Sequence, residues 1–528
     1  MKDKVYLYDT TLRDGSQAEG VSYSLRDKVM IVERLDDFGI HFIEGGWPYG
    51  NLKDIELFEY FKKNKLKNSQ LVAFGSTMHS SSMPGKDENL NSLLKAETEY
   101  ITIFGKSWDL HVKEVLRIKL DENVRIISES IKYLAKRGRK VFYDAEHFFD
   151  GYKNNKQYAL AAVRAALDAG AQLVVFCDTN GGTTTNEVDS ILTDAVAELG
   201  IKEFGMHCHN DLGLAVSNSI SCVGRGCTHI QGTINGIGER CGNADLVPIM
   251  GILQFKMGIA LIPSKKIGDL TKLSYFVSEI SNMIQKDNSP FIGRSAFAHK
   301  AGVHIDAVIK NPLAYEHIDP VLVGNKRRFL VSEQSGKSTL VDKAKELDYD
   351  LDKKSPKTIA LHKALQLKEQ KGYQFEAAEG SFKLLLHKTF KKYKSFFELQ
   401  GFRVIIEKDD KDNLISEATI KLKVDGNFEH TAALGDGPVN ALDNALRKAL
   451  VKFYPVLSEM HLTDFKVRVL DAKSGTEAKV RVFIESQDKD ESWVTIGVSE
   501  NIIEACWQAL VDSVEYKILK AKKSGRLK

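Results

Sequence analysis

Residues 140–179 read KVFYDAEHFFDGYKNNKQYALAAVRAALDAGAQLVVFCDT. The stretch opens on an apolar run rich in β-branched and aromatic residues, continues through a helical-period segment, QYALAAVRAALDAG, and closes on a second apolar run from Gln172. Strand, helix and strand with no hairpin turn between them make a parallel βαβ unit. The same unit recurs on both sides. VYLYD from Val5, IHFIE from Ile40, QLVAFGST from Gln70 and EYITIFG from Glu99 precede it, and EFGMHCHND from Glu203 and CTHIQGTING from Cys227 follow. The runs return about every 25 to 40 residues, with helical stretches such as SLRDKVMIVERLDDFG between them. Eight units predict an α/β chain with a closed parallel (β/α)8 barrel over residues 1–270, which fits them better than a flavodoxin-like open sheet.

Chemistry in such a barrel occurs where the strands end. The polar residues there are Arg13 and Asp14, Glu44, Glu146, Asp178 and Thr179, His207 and His209, then Asn235 and Glu239. From Leu270 the alternation stops, and residues 271–392 read as a mainly helical, charged linker broken by loops containing FAHKAGVHIDA and YEHIDPVLVG. Residues 393–528 hold a near-repeat, expected to be an α+β domain of two β-β-β-α units. GFRVIIEK, ISEATIKLKVDG and FEHTAALGDG lead into the helix PVNALDNALRKALVKF. FKVRVLDA, EAKVRVFIES and SWVTIGVSE lead into NIIEACWQALVDSVEYKIL. Each helix follows a glycine-containing loop, whose amides are free to hold a carboxylate.

Bulk properties narrow the classes. A chain of 528 residues predicts two or three domains, and 43% hydrophobic with 27% charged residues is a normal globular balance. A net charge of +3 lacks the concentrated basic face that a nucleic-acid partner requires, and the basic end from Lys520 reads as solvated. No apolar run approaches the ~20 residues of a membrane span, and the amino terminus lacks the apolar core of a signal peptide. Six cysteines without a CxxC pair fit a reducing, cytoplasmic setting.

His207 and His209, two apart at a strand end, point to the same side and suit a divalent metal when a carboxylate joins them. Asp14 is the expected carboxylate and Asp9 its competitor, with Arg13 aimed at an oxyanion. GTINGIGERCGNADL after the eighth run reads on its own as a plain turn. Its Asn243 offers an amide oxygen as a further ligand.

DTTLRDGSQ (9–17), HCHNDLGLA (207–215) and GTINGIGERCGNA (232–244) together resemble the signatures of the 2-isopropylmalate synthase and homocitrate synthase family, metal-dependent TIM-barrel enzymes of Claisen type. FAHKAGVHIDA, YEHIDP and SEQSGKS extend the resemblance through the middle, and the terminal repeat resembles the family's amino-acid-sensing, dimer-forming domain. The resemblance implies Asp14, His207, His209 and Asn243 as ligands of magnesium, manganese or zinc. It implies Arg13, Glu146, His304 and Tyr315 as catalytic residues, and Arg13, Thr179 and Glu44 as substrate contacts. EGGWPYGNLKD (44–54) is similar to the branch that joins acetyl-CoA to pyruvate, although Tyr49 and Leu52 depart from its commonest forms. That branch implies isoleucine as the inhibitor and a homodimer. The alternatives are a synthase using another 2-oxo acid, a lyase of the HMG-CoA type, and a non-catalytic amino-acid sensor.

Overall fold

A computed structural model describes residues 4–330, 340–341, 344, 352, 354–390, 394–408, 410, 412–470 and 478–527. The SEQSGKS stretch lies outside the described residues. The chain divides into two compact units, residues 1–297 with 318–327, and residues 298–317 with 328–528. The stretch expected to form one linker, 271–392, is therefore shared between the two units.

In the first unit, β1 (Tyr6–Asp9), β2 (Phe42–Gly46), β3 (Gln70–Ser76), β4 (Tyr100–Lys106), β5 (Lys140–Glu146), β6 (Leu173–Asp178), β7 (Phe204–Cys208) and β8 (Cys227–Gly232) form a closed barrel. All eight are the runs read from the sequence, and β1 closes on β8 in parallel register from Tyr6↔His229 to Asp9↔Gly232. Local sequence sets the helix ends. Ser24 with Asp27, and Thr184 with Glu187, form capping boxes that satisfy the first amides of helices Leu25–Phe38 and Thr185–Leu199. Gly39 (φ 102°) and Gly200 (φ 69°) end those helices in the left-handed conformation that a Cβ would penalise.

The barrel interior is layered. Tyr8, Phe42, Val72 and Phe142 form an apolar plug. His229 lies against it, its ring 5.0 Å from Tyr8 and 4.9 Å from Phe142. Alternate residues of a strand share a face, so Phe142, Asp144 and Glu146 climb one side of the interior from plug to mouth, and His229, Gln231 and Thr233 climb another. The polar residues thus stand on a water-excluding floor.

In the second unit, the two-residue strands β9 (Ala298–His299) and β10 (Arg328–Phe329) pair in parallel. β11 (Glu398–Lys408), β12 (Leu414–Val424) and β13 (Asn427–Gly435) form one antiparallel sheet, and β14 (His461–Val469), β15 (Val480–Gln487) and β16 (Ser492–Ser499) form another. Helices Pro438–Leu450 and Ile502–Lys523 follow the two sheets and share a core with them that includes Ile420, Leu446, Ile484 and Leu510. Leu361, Leu365, Phe382 and Leu386, from helices Pro356–Gln370 and Glu379–Phe390, cluster with Ile496 and Val498 of β16. Among the described residues no helix is long and apolar enough to cross a membrane.

Two barrel imidazoles give the fold an acid limit. The Leu7 amide donates to His41 Nδ1 at 3.0 Å, which requires an unprotonated nitrogen there. Burial, with a smaller contribution from Lys4, lowers the His41 pKa to about 4, and burial followed by His41 lowers that of His229 to about 3. In the unfolded chain both titrate near 6.5, so the stabilisation is complete above that pH and fades as the pH falls towards 4. His41 contributes up to about 3 kcal/mol and His229 up to about 5 kcal/mol. Chemical unfolding followed from pH 7 to pH 4.5 should show the midpoint of wild type falling relative to that of His229→Phe. Equal slopes in wild type and variant would contradict this.

Candidate active site

The first strand turns sharply after Asp9. Both Asp9 oxygens are used there, accepting the Thr11 amide at 3.0 Å and the Thr11 hydroxyl at 2.8 Å. Burial raises its pKa to about 7 in spite of these bonds. Asp9 is thus a turn-forming residue, and Asp14 is the carboxylate that reaches the histidines. Asp14 Oδ2 accepts the Thr10 hydroxyl at 2.8 Å and lies 3.6 Å from His207 Nε2. Burial opposes its ionisation, but Arg13, then His207 and His209, outweigh burial and hold the carboxyl below its usual range.

Arg13 donates from Nε to Glu44 and from Nη1 to Asp14. Its guanidinium carbon sits 3.7 Å above the centre of the Phe74 ring. Phe74 stacks on Phe104 at 5.5 Å, and Trp47 meets both edge-on. The Trp47 loop is tied down in turn, its amide donating to Asp54 Oδ2 and its indole N–H to Asn89 Oδ1. Glu44 was expected to contact substrate. It is wholly buried and also accepts from Tyr8, whose hydroxyl touches Thr102 Oγ1 at 2.8 Å. Its oxygens are turned to Arg13 and Tyr8, which makes it the group that aims Arg13.

His207 and His209 converge with ring centres 5.3 Å apart. Burial, followed by His207, lowers the His209 pKa to about 3, so the ring is neutral and can act as a nitrogen ligand. The loop after β8, a plain turn by its sequence, is folded around Asn243. Its amides and carbonyls bind the end of β7, with the Ala244 N–H donating to Cys208 O and the Asn210 N–H to Gly242 O, both at 2.9 Å. His209 and Asn243 thereby become bridge partners. A Cβ on Gly238 would stand 2.1 Å from Asn243 Nδ2, and one on Gly242 (φ 88°) 2.0 Å from Gly236 O. These glycines let the loop close on that amide.

His209 Nδ1 and Asn243 Oδ1 are both buried without a protein partner, as groups meant for a ligand would be. Among the described residues no group of three or more His, Cys, Asp or Glu side chains holds a metal by itself. The donor set fits a divalent ion once the Asn243 amide is counted with Asp14 and the two imidazoles.

Around the rest of the mouth, Glu146 pairs with Lys106. The hydroxyl of Thr179 accepts the His147 N–H at 2.9 Å and so keeps its own proton for donation. Arg240 grips Asp211 through two bonds and the Thr179 carbonyl through a third, binding together the loops after β6, β7 and β8. Asp178 holds the Thr183 amide and hydroxyl, and Asn235 is bonded to Ser274 and Ser278 of helix Leu270–Ile280, so both are structural. Glu239 is exposed, 3.6 Å from Arg240. His304, in helix Gly302–Lys310 where a loop was expected, and Tyr315 belong to the second unit, their rings 4.2 Å apart and tilted by 30°. The sequence reading passed over Tyr8, Thr10, Asp144 and Gln231. Asp144 and Gln231 carried a usable signal, as polar residues in step with the inward-facing positions of apolar strands.

Three family models match the chain in succession. They are HMGL-like over residues 4–277, homocitrate synthase post-HMGL domain-like over 291–371, and LeuA allosteric (dimerisation) domain over 376–518. The (R)-citramalate synthase of Aquifex aeolicus is 52% identical over 528 residues, the whole of both chains. That of Geobacter sulfurreducens is 51% identical over 519 residues, 98% of each. A 2-isopropylmalate synthase of Methanocaldococcus jannaschii is 28% identical over 525 residues, covering 99% of this chain and 96% of its own. With full-length identity at that level and an HMGL-like barrel, the chain belongs to the (R)-citramalate synthase family of HMGL-like enzymes.

Proposed function

We propose that the protein condenses acetyl-CoA with pyruvate and water to give (R)-citramalate and CoA. The observation that carries this reading is Arg13, fixed between two buried carboxylates over an aromatic wall and beside Asp14, His207, His209 and Asn243. These four residues would hold a divalent ion, magnesium, manganese or zinc, which supplies Lewis-acid polarisation of the keto group when bound.

The acetyl methyl group loses a proton, and its carbon then forms a bond to the keto carbon of pyruvate. Arg13 keeps Nη2 for the oxygen on which charge develops, and Thr179 offers its hydroxyl proton to the pyruvate carboxylate. Glu146, paired with Lys106, is the carboxylate that assists the base. We assign the base itself to His304 with Tyr315, on the resemblance of their segments and the contact between their rings. The new alkoxide takes up a proton, and water cleaves the thioester, releasing CoA thiol and the free acid. Hydrolysis makes the sequence irreversible. Trp47, Phe74 and Phe104 wall the side of Arg13 and favour an acceptor as small as pyruvate.

In a thiol-release assay with acetyl-CoA against pyruvate, 2-oxobutyrate, 2-oxoisovalerate and 2-oxoglutarate, pyruvate should give the highest kcat/KM. Arg13→Ala should lower kcat by about 10²- to 10³-fold with a small change in KM. A longer acceptor in first place would assign the chain to a neighbouring synthase, and no thiol release with any acceptor would overturn the reading.

The second unit supports feedback control. A cleft of about 590 Å³ is lined by Val439, Leu457, Met460, Leu462 and Phe465 together with Asp443 and Arg447. Arg447 Nε donates to Asp443 Oδ2 at 2.8 Å, yet Asp443 Oδ1 and Arg447 Nη2 are buried without a partner. An opposed carboxylate and guanidinium beside apolar side chains suit the ammonium, carboxylate and alkyl groups of isoleucine. Exposed Phe428 and Leu434 on β13, 74% and 63% accessible, offer apolar surface to a second copy of the chain. Isoleucine should inhibit the wild type, and Asp443→Asn should need at least tenfold more of it with uninhibited kcat unchanged. Equal inhibition of wild type and variant would remove Asp443 from the effector site.

A further inference from the structure

Gln231 and Asp144 lie below the mouth, wholly or nearly buried, and the chemistry above gives them no part. Gln231 Oε1 is 2.8 Å from His207 Nδ1, and Gln231 Nε2 is 3.1 Å from Asp144 Oδ1. We infer that Gln231, held in one orientation by Asp144, is a positioning residue that fixes the tautomer of His207 and so aims the lone pair of Nε2 at the metal position beside Asp14. This rests on the metal-dependent reading of the site.

A primary amide has a donor end and an acceptor end. The NH2 end of Gln231 donates to Asp144 Oδ1, which turns the carbonyl end towards His207. That carbonyl can only accept, so His207 Nδ1 must carry the hydrogen. A neutral imidazole has one N–H, and Nε2 is left with its lone pair exposed on the Asp14 side. The Asp144 carboxyl, whose pKa burial raises well above the carboxylate range, keeps Oδ1 as the acceptor in this geometry and leaves Oδ2 to carry the proton. Reversing the amide would place the hydrogen on Nε2 and block it as a ligand. Strand geometry supplies the alignment, since His207 pairs with Gln231 between β7 and β8. Hydrogen-bonded support of this kind behind a ligating histidine typically changes metal affinity by 10- to 100-fold.

Two substitutions separate aiming from mere space-filling. In Gln231→Glu the new side chain still accepts from Nδ1–H and enforces the same tautomer, whereas in Gln231→Leu nothing does. Mn²⁺ is titrated into the metal-free full-length protein with the free ion followed by electron paramagnetic resonance, and histidine ring nitrogens are assigned by ¹⁵N–¹H correlation. The leucine variant should bind Mn²⁺ about 10- to 100-fold more weakly than wild type and lose the single Nδ1–H form of His207. The glutamate variant should stay close to wild type in both. Wild-type Mn²⁺ affinity in the leucine variant, or equal losses in both variants, would overturn the inference while leaving the metal reading intact. A wild-type protein that binds no Mn²⁺ would overturn the metal reading and the inference with it.

Discussion

The guanidinium of Arg13, shut between Asp14 and Glu44 at the mouth of the barrel, is the interaction on which the site depends. A buried cation is costly unless it is paired, and a buried carboxylate likewise. Here one cation answers two carboxylates, and the three groups cannot be removed singly without stranding a charge. Burial pushes the Glu44 pKa up in spite of Arg13, while Arg13 and the two histidines hold that of Asp14 down. The two carboxylates, similar in isolation, are thus given different work. Glu44 becomes support, and Asp14 stays ionised and faces the histidines.

That arrangement needs a dry floor and exact strand parity. The plug of Tyr8, Phe42, Val72 and Phe142 keeps water from reaching the charges from below, and Tyr8 also reaches up to Glu44 with its hydroxyl. One residue of slip in β5 or β8 would turn Asp144 or Gln231 out of the barrel and leave His207 without its partner. The loop after β8 completes the ring, because its backbone is stitched to the end of β7 and its glycines leave room for Asn243. Rigidity here comes from backbone pairing more than from side-chain contacts.

The eight barrel strands and both β-β-β-α repeats were legible because their apolar periodicity is strong and continuous over many residues. His207, His209 and Asp14 were legible for a related reason, since strand ends are easy to place once strands are known. Asn243 was named as a further oxygen donor, but the fold of its loop was not legible, because a glycine-rich segment looks like any turn until its backbone is seen to extend a neighbouring strand. The partners of Glu44 were not legible, because a strand end does not say whether a carboxylate faces solvent or another side chain. Tyr8 was hidden among apolar neighbours, whereas the inward register of Gln231 was a usable signal. His304 and Tyr315 came only from family resemblance, as nothing in their own segments marks a base.

The most direct test is an anomalous difference map from crystals grown with Mn²⁺ and pyruvate, recorded near the manganese edge. One strong peak within bonding distance of Asp14, His207, His209 and Asn243, with pyruvate oxygens on its open side and Arg13 beside them, is the expected result. A peak elsewhere, or pyruvate bound away from Arg13 with no metal at these four residues, would contradict the central claim.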